Sequence, residues 1–220
     1  GLFDNVDTVI HWHPSSVNAA DSASTLANRS AKFTFSGVSS HAAAAPERGR
    51  SALDAVESMN FMVNLLREHV PTTTRLHYVI TNGGSAPNVV PNTAQSFYYV
   101  RHPDEATLRD IWDRVVATAE AAAMGTGTTM SYEIIHGNYS VLPNDTLARV
   151  MHEKLSTVGG VDYDEADEKF ADALAKSLPN GIYNRAQAFE IKPFETGQRG
   201  NGSTDVGDVS WTVPTVGLST

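Results

Sequence analysis

Cysteine is absent from the 220-residue sequence. This absence excludes disulfide bonds, thiolate metal sites and a cysteine nucleophile, and it leaves histidine and carboxylate side chains as the strong metal ligands. It does not identify a compartment, so a cytoplasmic location is the default expectation.

Long apolar runs and clustered cations are also missing. No stretch approaches the ~18 consecutive apolar residues of a membrane helix, and the N-terminus has neither the basic nor the apolar region of a signal peptide. The chain has 16 Lys and Arg residues against 25 Asp and Glu residues, for a net charge of −9. Because a nucleic-acid partner requires clustered positive charge, we expect small molecules or proteins as partners, with no nucleic acid and no membrane.

The hydrophobic pattern between residues 26 and 140 predicts a β-α-β-β-α-β domain. Alternating apolar residues indicate strands, and apolar residues spaced by three and four indicate helices. Strands are predicted over residues 30–37, 76–80, 95–101 and 130–134, and helices over residues 52–66 and 105–125. In this ferredoxin-like order, four antiparallel strands carry two helices on one face.

The flanking residues 1–25 and 141–220 follow other patterns and together predict part of a second domain. A buried strand is predicted over residues 6–12 and helices over residues 145–155 and 164–178, the latter with an acidic start that complements the helix dipole. A glycine-rich loop precedes an apolar, β-prone run over residues 209–216. Because the chain begins with Gly1 instead of Met and stops inside an apolar run, we expect it to be a piece of a longer polypeptide.

Three histidines are candidates for chemistry. His11 and His13 place two imidazoles on one face of a strand, where they can meet a metal ion or simply be hydrogen-bonded. A metal site needs three or four protein ligands, so the others would have to come from elsewhere. His41 lies in the loop after the first strand of the β-α-β-β-α-β domain, a common location for functional groups, although an ordinary exposed loop histidine is the alternative.

Four further residues are candidates for substrate binding. Asn88 lies in a turn-rich segment between two strands and offers amide donors and a carbonyl acceptor. Arg101 has the guanidinium fork that binds a carboxylate, although a surface salt bridge is the simpler explanation for an isolated arginine. Ser203 and Asp205 lie in the glycine-rich loop, which can wrap a ligand but has the spacing of neither a P-loop nor a dinucleotide fingerprint. The loop also lacks a nucleophile elbow, which argues against a serine hydrolase.

Several segments, taken in order, resemble the M20 family of metallopeptidases and amidohydrolases, and in particular its amidohydrolase branch. The segments are GLFDNVD with HWHP, FSGVSSHAA with Pro46, NVVPN, and GSTDVGDVS. They span nearly the whole chain. The resemblance implies an α/β catalytic domain with two divalent metal ions, zinc or manganese, interrupted by a β-α-β-β-α-β lid that mediates dimerisation. The implied fold class is α+β, with residues 26–140 as the lid and residues 1–25 and 141–220 as incomplete segments of the catalytic domain.

The same resemblance implies roles for individual residues. His13 is the implied metal ligand, with His11 as the alternative. His41 matches the lid histidine that reaches into the partner subunit's site and polarises the scissile carbonyl. Asn88 and Arg101 match lid positions that bind the terminal carboxylate of the substrate. The partner is either an identical chain or a related subunit.

The implied reaction is metal-dependent hydrolysis of the amide bond of an N-acyl or N-aroyl amino acid such as p-aminobenzoyl-glutamate. The family's remaining metal ligands lie before the equivalent of Gly1 and after Thr220, so we expect this chain to be inactive alone. A non-enzymatic dimerisation module is the competing hypothesis. A two-histidine amidohydrolase barrel is excluded, because it needs eight repeated β-α units.

Overall fold

The structure is a computed structural model that describes residues 1–179 and 184–220. Its strands are β1 (Val9–His13), β2 (Ala19–Asp21), β3 (Ala27–Ser36), β4 (Arg75–Asn82), β5 (Thr93–His102), β6 (Thr129–Asn138) and β7 (Thr215–Ser219). Its helices are α1 (Ala52–Leu66), α2 (Glu105–Thr126), α3 (Asp145–Val158), α4 (Glu165–Ala175), α5 (Ala186–Phe189) and α6 (Val206–Ser210). Single 3-10 turns occur at Pro46–Arg48 and Arg67–His69.

The chain divides into two compact units. The first consists of residues 1–24, 141–200 and 208–220, and the second of residues 25–140 and 201–207. The fold class is α+β, which confirms the prediction. Within the described ranges, no helix is long and apolar enough to cross a membrane.

The second unit contains a four-stranded antiparallel sheet in the order β4-β5-β3-β6. Helices α1 and α2 pack on each other and on one face of this sheet, so the predicted β-α-β-β-α-β order is confirmed. Strand β3 begins at Ala27, earlier than predicted, because Arg29 takes a position opposite Val100 on the helix-facing side, where a charged residue hides the alternation in the sequence. The Arg29 guanidinium lies 5.4 Å from the centre of the Trp112 ring.

Local sequence explains where the two helices begin and end. The Ser51 hydroxyl accepts a hydrogen bond from the Asp54 N–H (3.1 Å), and the Asp104 carboxylate accepts one from the Thr107 N–H (2.8 Å). Each bond satisfies a backbone donor that has no partner inside the helix. Helix α2 ends at Thr126, and the φ of 64° at the next residue, Gly127, lies in the left-handed region that favours glycine.

The first unit contains a three-stranded sheet in the order β1-β7-β2, in which β1 runs parallel and β2 antiparallel to β7. Helix α3 packs against β2 and β7. Helix α4 begins with a capping box between Asp164 and Asp167, which confirms the predicted acidic helix start.

Two predictions for the first unit need correction. The first strand begins at Val9, because residues 1–6 form turns closed by hydrogen bonds from the Asp4 N–H to the Gly1 carbonyl and from the Val6 N–H to the Phe3 carbonyl. The glycine-rich loop leads not into a strand but into the short helix α6, which is followed by β7. The Thr204 hydroxyl accepts a hydrogen bond from the Val206 N–H and so starts a helical turn in a β-prone sequence.

A buried polar cluster lies inside the otherwise apolar core of the second unit. The Asn60 side-chain oxygen on α1 accepts hydrogen bonds from the hydroxyls of Tyr98 and Ser96 on β5. Burial raises the pKa of the Tyr98 hydroxyl far above its ordinary value, so it remains a donor. These directional bonds add to the apolar contacts of the helix with the sheet.

We expect Asn60→Ala to lower the free energy of unfolding by about 2 kcal/mol, because it leaves two buried hydroxyls without this acceptor. Glu57→Ala is the control, since Glu57 lies on the same helix α1 and is exposed. That substitution is expected to cost about 0.5 kcal/mol or less. Urea denaturation measures both values, and equal losses would contradict the role of the cluster.

Candidate functional site

The loop that carries His41 is held by backbone pairing. Val38 and Arg50 form one antiparallel bridge, and His41 and Val89 form another. The Ala42 N–H donates to the Asn88 carbonyl at 2.9 Å. The pairing therefore brings His41 next to Asn88, although a helix and a strand separate them in the sequence.

The orientation of the His41 imidazole is set by its own loop. Its Nδ1 atom accepts hydrogen bonds from the N–H groups of Ala43 (3.2 Å) and Ala44 (3.1 Å). Since Nδ1 is an acceptor, the proton of the neutral ring is on Nε2. The exposed side chain thus presents an Nε2–H donor, and the small alanine side chains allow the backbone to fold back onto the ring.

Arg101 lies near the end of β5, on the sheet face that α1 and α2 leave uncovered. It is directly opposite Arg75 on β4 and Asn28 on β3. Its guanidinium lies 5.2 Å from the centre of the Tyr99 ring. Its Nε atom is buried without a hydrogen-bond partner, and Arg101 forms no ion pair in the described part of the chain. Within the described part of the chain, a surface salt bridge therefore does not explain Arg101.

Asn88 and Arg101 are not close to each other. Asn88 precedes β5, whereas Arg101 lies eight residues beyond the first residue of that strand, Thr93. At about 3.4 Å per residue, these eight residues span roughly 27 Å. The structure therefore groups Asn88 with His41 and separates both from Arg101 within one chain.

His77, which is not among the candidates predicted from sequence, lies beside Arg101 on the same sheet face. It is directly opposite Tyr99, in the cross-strand row next to that of Arg101. Partial burial lowers the pKa of the His77 imidazole below its ordinary value. Three positive charges lower this pKa further: those of Arg101, Arg67 and Arg75. The alternations Arg75-x-His77 and Tyr99-x-Arg101 are the sequence signal for this cluster.

The two histidines of β1 have different surroundings. His11 is directly opposite Gly217 on β7, and a Cβ atom on Gly217 would come within 2.7 Å of the His11 Nε2 atom. The His11 ring therefore lies across the glycine. The exposed His13 has its Nδ1 atom 2.8 Å from the Pro14 carbonyl oxygen. Donation to that carbonyl leaves Nε2 as the free, metal-competent nitrogen.

Ser203 and Asp205 lie in a loop that is fastened to the start of the sheet by a hydrogen bond from the Leu26 N–H to the Gly202 carbonyl (2.8 Å). The Ser203 hydroxyl is buried without a partner, and Asp205 is exposed.

The described residues contain no group of three or more His, Cys, Asp or Glu side chains that could hold a metal ion. The described residues alone therefore do not provide the ligands of a complete metal site.

Residues 25–127 match the family model of the M20 peptidase dimerisation domain. This part of the chain is an M20 dimerisation domain. The chain is 37% identical to the B component of the p-aminobenzoyl-glutamate hydrolase of Escherichia coli (strain K12), over 97% of this chain and 50% of that protein. It is 32% identical to Xaa-Arg dipeptidase of Mus musculus, over 97% of this chain and 43% of that protein.

A solved structure, the aminobenzoyl-glutamate utilization protein from Klebsiella pneumoniae, superposes with a TM-score of 0.64 at 19% identity. The alignment covers 100% of this chain and 52% of that one, and at this identity it shows the fold. The chain thus spans about half the length of the curated relatives it matches. Those relatives are hydrolases by name, and M20 members generally use divalent metal ions.

The His77 imidazole is expected to titrate below the ordinary range of histidine in an NMR pH titration. Arg101→Gln should raise this pKa, because it removes the largest of the three charge effects that lower it. Since the folded-state pKa is below the unfolded one, His77 should reduce stability as the pH falls through the histidine range, not as it rises. Lys32→Gln removes a charge from the same sheet face, in the row next to that of His77 but two strands away, and it is expected to leave the pKa unchanged because Lys32 is not among the charges that lower it. An equal shift in both variants would contradict a local effect.

Proposed function

We propose that this chain is part of an M20-type, metal-dependent amidohydrolase that cleaves the amide bond of an N-acyl or N-aroyl amino acid such as p-aminobenzoyl-glutamate. The observation that carries the proposal is the His41 loop, in which two backbone amides occupy Nδ1 and leave an exposed Nε2–H donor. An exposed, pre-oriented donor is what an amide hydrolase needs for the oxygen of its tetrahedral intermediate. The identity to a hydrolase of p-aminobenzoyl-glutamate supports the substrate class.

In this proposal, the chain's residues have separate tasks. His41 donates its Nε2 proton in a hydrogen bond to the substrate carbonyl oxygen as that oxygen becomes negatively charged. Asn88, which lies beside it, orients the same end of the substrate with its amide group. Arg101 binds the terminal carboxylate, and Ser203 and Asp205 line the substrate-binding loop.

The length of β5 supports an assembly of two subunits. A small substrate cannot contact Arg101 and the pair of His41 and Asn88 of the same chain across roughly 27 Å. In the assembly that we propose, the histidine and asparagine of one subunit and the arginine of the other contact one substrate.

Exposed apolar side chains on α1 and on the edge strand β4 offer a surface for such an assembly, and the partner is either an identical chain or a related subunit. The exposed side chains are Phe61, Leu65, Val79 and Ile80.

We assign residues 26–140 to the lid and residues 1–25 and 141–220 to segments of the catalytic domain. His13 is the proposed metal ligand of this chain, because the Pro14 carbonyl fixes its Nδ1 proton. When bound, the two divalent ions, zinc or manganese, would supply the activated water. Their other ligands must come from residues outside this chain, so the chain alone is expected to be inactive.

The full product of the encoding gene is expected to hydrolyse p-aminobenzoyl-glutamate and to contain about two metal ions per subunit, whereas this chain should do neither. Elemental analysis and release of p-aminobenzoate measure the two properties. If the gene product forms dimers but holds no metal and cleaves nothing, the non-enzymatic dimerisation module is the correct function.

In the gene product, His41→Ala is expected to lower kcat by about 10²–10³-fold without changing the metal content, because it removes an oxyanion donor. His69→Ala is the matched control, since His69 is an exposed histidine in the same unit. That control should retain full activity. A parallel loss of metal and activity in His41→Ala would show that His41 is a metal ligand or a structural residue instead.

A further inference from the structure

The sheet face left uncovered by α1 and α2, called the open face here, has ordered cross-strand rows. One row consists of Arg75 on β4, Arg101 on β5, Asn28 on β3 and Asn138 on β6. The next row consists of His77, Tyr99, Ser30 and His136 on the same strands. Residues directly opposite each other in antiparallel strands share a face, so these side chains are neighbours.

The first row contains an uncompensated pair of positive charges. Like charges directly opposite each other on a sheet are destabilising. Neither Arg75 nor Arg101 has an ion-pair partner among residues 1–179 and 184–220. This pair occurs in a chain whose net charge is −9, so general electrostatics does not explain it. An anion would convert the repulsion into two attractive contacts.

A donor without a partner occurs at the same place. The Nε donor of Arg101 is buried and unsatisfied, whereas the unsatisfied side-chain oxygen of Asn28 directly opposite is an acceptor and cannot bind an anion. Arg75 is oriented by hydrogen bonds from Nη1 to the carbonyls of Thr72 and Thr74, both 2.9 Å, which leave its other donors available. A groove of about 430 Å³ borders Arg75 and His77 together with Arg67 and Glu68, and Arg101 is not among its lining residues. Arg75 and His77 are exposed, so the β4 part of the site is accessible, and Arg101 adds its charge from the neighbouring strand.

From this arrangement we infer that the open face binds a dicarboxylate, with Arg101 holding one carboxylate and Arg75 together with His77 holding the second. Neighbouring strands lie about 4.8 Å apart, a separation that a three-carbon chain between two carboxylates can span. Each guanidinium can bind its carboxylate through two parallel hydrogen bonds. The inference rests on the proposed function and deepens it, because Arg75 and His77 would then select amides of acidic amino acids such as glutamate.

Binding of simple acids to this chain tests the inference without any hydrolysis. Isothermal titration calorimetry compares glutarate, which has two carboxylates, with pentanoate, which has the same number of carbon atoms and only one. Glutarate is expected to bind about tenfold more tightly, the difference that one additional charge-assisted contact makes. NMR amide shifts on glutarate addition should concentrate at Arg75, His77 and Arg101.

Four variants locate the second carboxylate. Arg75→Gln and His77→Gln should each weaken glutarate binding by about five- to tenfold and leave pentanoate binding unchanged. Arg101→Gln should weaken the binding of both acids. Lys32→Gln removes a charge from the same face and should change neither affinity by more than about twofold.

Several outcomes would overturn the inference. They are equal affinity for the two acids, no glutarate binding, or weaker binding of both acids in Arg75→Gln. Inorganic phosphate that binds as tightly as glutarate with the same dependence on Arg75 would make the face a general anion surface. Because glutarate is not hydrolysed, its Arg75-dependent binding can persist if the gene product is inactive, which would refute only the proposed function. If the gene product hydrolyses the amide but glutarate binding does not depend on Arg75, only this inference is refuted.

Discussion

The two-residue alternation of β5 is the constraint on which both the core and the candidate site depend. Tyr98 and Val100 face the helices and are fully buried, while Tyr99 and Arg101 face the other way. A slip of one residue would bring the Arg101 guanidinium into the apolar core and expose Val100. Because Asn60 accepts hydrogen bonds from Tyr98 and Ser96, the register is fixed by directional bonds as well as by apolar contacts. The cation that we assign to substrate binding is thus positioned by the core of the domain.

Backbone pairing gives the His41 loop a rigidity that its side chains could not provide. The loop is rich in alanine and has little apolar surface to bury, so packing alone would leave it poorly ordered. Its bridges to Arg50 and Val89 use main-chain groups. A close approach is also required at Gly37, where a Cβ atom would lie 1.9 Å from the Arg50 carbonyl oxygen. Because the backbone provides the support, the imidazole remains available for chemistry.

Local patterns are sufficient to predict most of the second unit, because its strands alternate and its helices carry capping residues such as Ser51 and Asp104. They fail where a polar side chain redirects the backbone, as Thr204 does at the start of α6. The candidate site is less predictable. The pairing of His41 with Asn88 and the row that joins Arg75 to Arg101 depend on strand register, which a single sequence does not encode locally. The family resemblance assigns Asn88 and Arg101 to one carboxylate, whereas the length of β5 separates them within one chain.

That separation makes assembly part of the chemistry. A strand of ten residues is rigid on the scale of a small amide, so no side-chain rotation brings Arg101 to the His41 end of the same chain. Either the two ends serve different ligands, or a second subunit supplies the missing end. The exposed edge of β4 and the apolar face of α1 favour the second explanation, because such surfaces are rarely left uncovered. If two subunits share one substrate, a mutation that weakens their association must reduce turnover even when every residue near the substrate is intact. Activity would then depend on protein concentration, a property that a catalytic site within a single chain does not have.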